Sequence, residues 1–272
     1  MIPSSIVFSF IAAAVFTVLV PAALLIVLGI KRKISGLPLL FGAAAFFLSQ
    51  IVLRIPLISI LSGQSWFQAF AANYFPYALC LSFSAGLFEE SARLGGALLL
   101  KKHRNYKDVI SFGLGHAFCE VIILIGVSHI NSIVLSLAIN SGNGLSMLPS
   151  ETLEITIAQL AALDPLNFIW GILERFSAVL FHIFATVLVF KGVTKKKIHY
   201  YFLAILAHTL FNFLGVLLAR FAGIVITEIV LLAAALTMGF YTIKCHTGKD
   251  SSDENGLGRE KSGSQSEPVT SS

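Results

Sequence analysis

Two carboxylates and a guanidinium group interrupt an apolar stretch of the sequence at Glu89-Glu90-Ser91-Ala92-Arg93. On a helix, Arg93 lies four and three residues beyond the two glutamates, so it can pair with either one. Each charged side chain near the centre of a bilayer costs on the order of 2.5–3.5 kcal/mol to insert. We therefore expect one glutamate to pair with Arg93, while the other contacts groups on neighbouring helices.

Two further motifs place polar groups on single helix faces, and they are Phe112-x-x-x-His116-x-x-x-Glu120 and His208-x-x-x-Asn212. Residues four apart share a helix face. A carboxylate and a histidine on facing helices can share a water molecule and remove its proton. A His–Asn pair offers donors to the oxyanion that forms when water attacks an amide. These residue types suit amide hydrolysis within a membrane, without a metal.

The candidate residues also share one depth in the membrane. Depth was counted at about 1.5 Å per residue from the predicted cytosolic helix ends. On that count, each candidate residue lies roughly 13–15 Å from the end of its helix. The candidates are the Glu89-Glu90 pair, His116, His182 and His208. Four helices therefore bring a glutamate pair and three histidines to one level, which predicts a common site.

The composition is that of a polytopic membrane protein of the cell membrane. Hydrophobic residues make up 56% of the chain and charged residues 12%, whereas soluble domains carry about 25% charge. The mean hydropathy is +0.86. The net charge of +5 is attributed to basic residues in the loops, whose placement indicates membrane orientation, and no nucleic-acid partner is expected. The three cysteines have no metal-type spacing, so neither a disulfide framework nor a thiolate zinc site is expected.

Seven apolar segments are long enough to cross a bilayer, which takes about 20 residues. Lys and Arg follow the first, third and fifth segments, whereas the connection between the fourth and fifth carries only acidic charges. The positive-inside rule then predicts an N-terminus outside the cell and a cytosolic C-terminus. The predicted spans are about 5–30, 37–62, 67–100, 107–139, 165–190, 198–219 and 222–243.

These features predict an all-α bundle of about seven transmembrane helices over residues 1–244, with the catalytic core at about 80–215. Residues 245–272 are rich in Ser, Gly and charged residues, which predicts a disordered cytosolic tail. Between the fourth and fifth spans, Leu153 and Ile157 recur at helical spacing with Leu160. This pattern predicts a short amphipathic helix that covers the bundle at the outer interface.

The three motifs, in that order on three helices, resemble those of the CAAX-processing and bacteriocin-processing membrane proteases. They more closely resemble the YhfC-type branch of intramembrane proteases. The resemblance implies that Glu89 and His116 activate water, and that His208 and Asn212 stabilise the oxyanion. It implies supporting or site-lining roles for Glu90, Arg93, Glu120, Glu174, Arg175 and His182.

The arginine spacing leaves the choice of base open. The main family has EExxxR where this chain has EExxR, and the difference turns Arg93 by about 100° around a helix. Either Glu89 or Glu90 could then face the histidines. Our assignment of the base is Glu89.

The residues and the resemblance together predict an intramembrane endopeptidase of the glutamic type. It would hydrolyse a membrane-associated or lipidated peptide or protein without a cofactor. A zinc-dependent peptidase is an alternative, with the ligand types that zinc uses but without an HExxH motif. Another alternative is a proton-coupled transporter with a Glu/His/Arg relay, although no internal repeat is apparent. The zinc alternative would draw its ligands from Glu89, His116, His182 and His208.

Overall fold

The computed structural model describes residues 1–262, with side chains up to Cys245. All regular structure in this part of the chain is helical. The predicted tail at 245–272 falls almost wholly where side chains are not described, and residues 263–272 lie outside the described residues, so that tail stays a prediction. The helices are α1 (Ser4–Ile30), α2 (Gly36–Ser62), α3 (Ser65–Ala71), α4 (Tyr74–Leu99), α5 (Tyr106–Asn140), α6 (Ser150–Ala161), α7 (Asn167–Lys195), α8 (His199–Phe221) and α9 (Gly223–Ser262).

Six helices of the described chain are long and apolar enough to cross a membrane, namely α1, α2, α5, α7, α8 and the part of α9 from Gly223 to Cys245. The predicted all-α, multi-pass membrane architecture is therefore confirmed. Helix α4 has 26 residues but carries the Glu89-Glu90-Arg93 charges, which lower its hydropathy. The predicted count of seven crossings and the predicted orientation stay predictions.

The third predicted span, 67–100, is wrong as a single helix, because the chain breaks between α3 and α4. The backbone of Asn73 is extended there, with φ −91° and ψ 93°. Its side-chain amide donates to the carbonyl of Ala69 at 3.2 Å. Asparagine competes for backbone hydrogen bonds in this way and so favours helix ends. The break leaves α4 to begin at Tyr74 and to carry the charged residues.

Helices α2 and α5 pack with their backbones in contact. A Cβ atom on Gly42 would overlap the carbonyl of Phe112, and one on Gly115 would overlap the carbonyl of Leu39. Glycines at such positions allow two membrane helices to approach more closely than side chains permit. This contact brings His116, the residue after Gly115, beside α2. Helices α2 and α5 also contain π-helical segments, at Phe47–Arg54 and Val121–Gly126.

An apolar core fills the bundle between the candidate residues and the helix ends that carry Lys and Arg. It draws on α2, α4, α5, α7 and α8, and it is buried throughout. This packing closes one side of the layer that contains the glutamates and histidines. Its members are Ala45, Ala97, Leu100, Val109, Phe112, Val187, Leu188, Val189, Phe190 and Ala204.

The short helix predicted between the fourth and fifth spans is confirmed as α6. Its apolar residues Leu153, Ile157 and Leu160 pack against a buried cluster that includes Ile6 of α1 and Ile139 of α5. This contact shields apolar surface at the end of the bundle opposite the basic loops. Helix α6 therefore covers the bundle, as the spacing of its apolar residues indicates.

Candidate functional site

Helix α4 buries three charged groups, Glu89, Glu90 and Arg93. Arg93 forms an ion pair with Glu90, and its other terminal nitrogen lies 3.2 Å from Nδ1 of His182. The same oxygen of Glu90 lies 2.8 Å from Nδ1 of His208. Arg93 therefore neutralises Glu90, which leaves Glu89 free to face the histidines.

Glu89 lies at the centre of the polar layer. Its Oε2 atom is 2.9 Å from Nε2 of His116 and 3.8 Å from Nδ1 of His182. Its Oε1 atom accepts a hydrogen bond from Nε2 of Gln50 at 2.7 Å and lies 3.9 Å from Nε2 of His208. The helices thus bring together the glutamate pair and the three histidines that depth counting places at one level.

Three of these residues form a candidate metal-ligand group. Single ligand atoms of Glu89, His116 and His182, on three different helices, all lie within 4.8 Å of one another, and all three residues are buried. At zinc–ligand distances of about 2.0–2.2 Å, tetrahedral ligand atoms stand about 3.3 Å apart. The observed separations of 2.9 and 3.8 Å lie on either side of that spacing. Two histidines and a glutamate are also a ligand set that catalytic zinc uses.

A second layer of charged residues supports His182. Oε2 of Glu120 lies 2.6 Å from Nε2 of His182, and Arg175 donates to the other oxygen of Glu120 at 3.3 Å. Arg175 is also ion-paired with Glu174. Carboxylates commonly hold the ring of a metal-binding histidine in this way. His116 differs, because its Nδ1 is buried without a hydrogen-bond partner among the described residues.

The charges of this ion-paired cluster do not cancel. With neutral histidines, the described members have four carboxylates and two guanidinium groups. Glu174 is 43% exposed, so water screens its charge, whereas the side chains of the other three carboxylates are at most 15% exposed. Buried charge without compensation is costly, and a bound cation would offset the negative excess, as would added protons. The charged members are Glu89, Glu90, Glu120, Glu174, Arg93 and Arg175.

Sequence reasoning missed the contribution of helix α2. Gln50 donates to Glu89, and Arg54 in turn donates to Oε1 of Gln50 at 3.0 Å. Arg54 also bonds the hydroxyl of Ser84 and the carbonyl of Leu81. The sequence places Arg54 near the predicted outer end of the second span, which favours a side chain that extends to the interface or forms a pair. The useful signal is the i,i+4 spacing of Gln50 and Arg54 in an otherwise apolar helix.

A cavity of about 490 Å³ lies against this polar layer. This volume is within the range of small-molecule and cofactor pockets, about 300–1,000 Å³. Asn212, one turn beyond His208 on α8, also lines the cavity. The candidate residues His116, Glu90 and Arg93 lie behind the wall. Those on the wall are Glu89, Glu120, Glu174, Arg175, His182, His208 and Asn212.

The fold and site define a helical membrane protein with a buried Glu/His centre beside a cavity. The family model described as YhfC intramembrane metalloprotease matches residues 16–234, so the chain belongs to that family. The resemblance to the YhfC-type branch is confirmed. A relative described as "Uncharacterized membrane protein YhfC", from Bacillus subtilis strain 168, is 34% identical over 164 residues. The alignment spans 57% of this chain and 63% of that relative. No solved structure matches the chain.

The metal-free expectation fits these findings less well than its zinc alternative does. The family is described as a metalloprotease. The structure also has a Glu/His/His group that could hold a metal ion.

Proposed function

We propose that this protein is a zinc-dependent intramembrane peptidase that hydrolyses a membrane-associated or lipidated peptide or protein. The observation that carries the proposal is the buried group of Glu89, His116 and His182, whose ligand atoms converge from three helices. The adjacent cavity of about 490 Å³ gives a substrate room beside that group. The description of the family as a metalloprotease supports the same activity.

Glu89, His116 and His182 would hold the ion, and Nδ1 of His182 would then exchange its present contact with Arg93, at 3.2 Å, for the ion. When bound, zinc polarises the carbonyl that is attacked and lowers the pKa of a coordinated water. In this mechanism Glu89 and His116 act as ligands, rather than as the pair that activates water directly. Glu120 holds the ring of His182 from its other nitrogen.

His208 is suited to proton transfer. Arg93 keeps Glu90 ionised, so the carboxylate accepts a hydrogen bond and Nδ1 of His208 donates it. The Nε2 atom of a neutral His208 then carries the lone pair. From the cavity wall it can take a proton from the attacking water and pass it to the leaving amine.

Asn212 is suited to stabilising charge on the substrate. It lies one helical turn beyond His208 and lines the same cavity. Its side-chain amide has two N–H donors. Donors fixed beside the carbonyl that is attacked stabilise the oxyanion as it develops. Asn212 therefore acts on the substrate, whereas Glu90 and Arg93 act through His208.

Metal analysis of purified protein tests the proposal. We expect about one zinc ion per chain in the wild type, and loss of that zinc in Glu89→Gln, His116→Ala and His182→Ala. Glu154→Gln, on the exposed surface of α6, is the matched control and should retain zinc. Circular dichroism would establish that each variant is folded. Zinc retained at wild-type level by all three folded variants would contradict the proposed ligand set.

Cleavage is tested in cells. Membrane-peptide profiles of cells that express the wild type or Glu89→Gln should differ in one or more peptides that appear only with the wild type. Identical profiles under all growth conditions tried, with zinc bound to the wild type, would argue for a metal-binding protein without peptidase activity. The same comparison would identify the substrate.

A metal-free glutamic peptidase is the second candidate, favoured by the contact of 2.9 Å between Glu89 and His116. Strong chelation separates the two mechanisms. The zinc mechanism predicts that cleavage is lost with the chelator and restored by added zinc. Full cleavage by protein shown to be free of metal would establish the glutamic mechanism instead. No comparable observation favours the transporter alternative, because the apolar core closes one side of the site.

A further inference from the structure

The cavity extends from the polar layer toward one end of the bundle. On α4 it is lined by Leu81, which lies before Glu89 in the chain, and on α8 by Ala219, which lies beyond His208. On α9 it reaches Ile224, the second residue of that helix. All three positions lie toward the turn between α8 and α9. The cavity therefore runs from the glutamates and histidines to that end of the molecule.

The opposite direction is closed. The apolar core lies between the polar layer and the ends of α4 and α7, and its residues are at most 8% exposed. Phe112 and Leu188 are among its members, at 0% and 1% exposure. A peptide could not pass through such packing without displacing it. The site is therefore accessible from the α8–α9 end.

Charge in the connecting segments indicates which membrane face this end occupies. The closed side carries the basic connections after α4 and α7, which include Lys101, Lys102 and Lys196. The open side carries the 140–164 segment, whose charged residues are all acidic, together with the single basic residue Arg220 at the end of α8. Positively charged connections favour the cytosolic face. The open end of the cavity thus faces away from the cytosol.

Glu228 on α9 gives the cavity an acidic group that is not part of the ion-paired cluster. The residue lines the cavity but is only 3% exposed, and its Oε2 atom is buried without a hydrogen-bond partner among the described residues. Nearby on the wall, Glu174 and Arg175 are paired with each other. Arg54 reaches the cavity from α2 and is hydrogen-bonded there through Gln50. A cationic group of a substrate would supply the missing partner of Glu228.

We propose that this cavity is the substrate entrance of the peptidase, that it opens on the extracytoplasmic face, and that Glu228 makes it selective for a peptide segment bearing a Lys or Arg side chain. The proposal rests on the peptidase function for the identity of the occupant. It names an extracytoplasmic segment of a membrane-anchored peptide or protein as the substrate class.

Cysteine accessibility tests the direction of the entrance without needing a substrate. In a full-length background with Cys80, Cys119 and Cys245 changed to serine, Ala219→Cys places one thiol on the cavity wall. Glu151→Cys on α6 and Lys102→Cys in the basic connection are the two control positions. Intact cells are treated with the membrane-impermeant cation MTSET, and the remaining thiols are tagged with a maleimide that shifts the band on a gel. Circular dichroism and zinc content establish that the background is folded.

We expect MTSET to modify Ala219→Cys and Glu151→Cys in intact cells, and to modify Lys102→Cys only after permeabilisation. Modification of Ala219→Cys only after permeabilisation would place the entrance on the cytosolic side and overturn the proposal. So would modification of Lys102→Cys in intact cells, because the chain would then be inverted. No modification of Ala219→Cys from either side would exclude a water-accessible entrance.

The charge preference is measured deeper in the cavity with Ala178→Cys. The rate of MTSET relative to that of the anionic reagent MTSES should be higher there than at Glu151→Cys. Glu228→Gln should lower that ratio by about 30-fold, because a charge about 4 Å away in water changes the rates of the cation and of the anion by about fivefold each, in opposite directions. Glu154→Gln, which removes an exposed carboxylate outside the cavity, should leave the ratio unchanged. A ratio that Glu228→Gln does not alter would contradict the role of Glu228.

Failure of this proposal is distinguishable from failure of the proposed function. Thiol modification depends on access and charge and requires neither bound zinc nor cleavage. A cytosolic entrance together with bound zinc and cleavage would overturn the proposal on entry alone. An extracytoplasmic, cation-selective cavity in a protein that cleaves nothing would instead overturn the peptidase function.

Discussion

Gln50 donates the hydrogen bond that orients Glu89, and this contact leads to a prediction about single residues. The amide of Gln50 donates to Oε1 of Glu89, which leaves Oε2 to face His116 and His182. Partners that orient a metal ligand are typically worth about 10–100-fold in metal affinity. We predict a loss of that size in Gln50→Leu, which keeps the volume but removes the donor. Competition with a chelating dye would measure the zinc affinity.

Gln68→Leu is the matched control, because Gln68 bonds a backbone carbonyl at the exposed end of the bundle. Its zinc affinity should equal that of the wild type. Thermal melting of both variants would separate a local effect at the site from a general loss of structure. Wild-type zinc affinity in a folded Gln50→Leu protein would show that Gln50 does not orient Glu89.

The sequence predicts the depth of the site residues but leaves open the direction in which each glutamate points. Counting from helix ends places His116, His182 and His208 beside the glutamates, because the rise per residue of a helix is nearly constant. The angle around a helix is more sensitive to small errors, so the sequence left open which glutamate Arg93 would pair with. Gln50 escaped notice because an uncharged side chain does not stand out among ionisable ones. The π-helical segment around it also departs from the ordinary helical period.

At the scale of elements, the site depends on how closely α2 approaches α5. Gly115 lies against the backbone of Leu39, next to His116. An added methyl group cannot be accommodated by a flexible side chain, because the atoms that it meets are backbone atoms. We predict that Gly115→Ala separates the helices, destabilises the protein by about 1–3 kcal/mol and weakens zinc binding. Thermal unfolding in detergent and metal analysis would measure the two effects.

Gly95→Ala is the matched control on α4. A Cβ atom there meets nothing within 4 Å. Alanine favours a helix over glycine by about 0.5–1 kcal/mol, so Gly95→Ala should melt at the same temperature as the wild type or slightly above it. If Gly115→Ala and Gly95→Ala had the same stability and zinc content, close contact between α2 and α5 would not be required.

The elements themselves were predictable where the apolar pattern is long and periodic. Helix α6 follows from the spacing of Leu153, Ile157 and Leu160, and the helices flanking it follow from apolar length. The break at Asn73 was not predicted. Apolar residues continue on both sides of it, and a single asparagine also occurs within helices. Only the packing of α3 against α4 shows that Asn73 lies between two helices and not within one.

At the scale of the whole molecule, α4 decides how many times the chain crosses the membrane. Its 26 residues span about 39 Å, which exceeds the hydrocarbon thickness of about 30 Å. The charged residues of α4 make its composition too polar for a typical membrane span. These residues are nevertheless buried, since Glu89, Glu90 and Arg93 are only 5%, 0% and 0% exposed. Neighbouring helices therefore shield these charges from lipid, and the objection from hydropathy does not apply to them.

Seven crossings, with α4 included, place the two ends of the chain on opposite faces of the membrane. Together with the basic connections after α4 and α7, this predicts a cytosolic C-terminus. Green fluorescent protein fused after Ser272 should therefore fluoresce, and alkaline phosphatase at the same position should be inactive. Alkaline phosphatase fused after Ser150 should be active, because that segment is acidic and is predicted to lie outside. The crossing of α4 itself is tested by fusions on either side of it: alkaline phosphatase should be active after Ala72 and inactive after Lys102. The same activity at both positions would mean that α4 does not cross, because α4 lies between them.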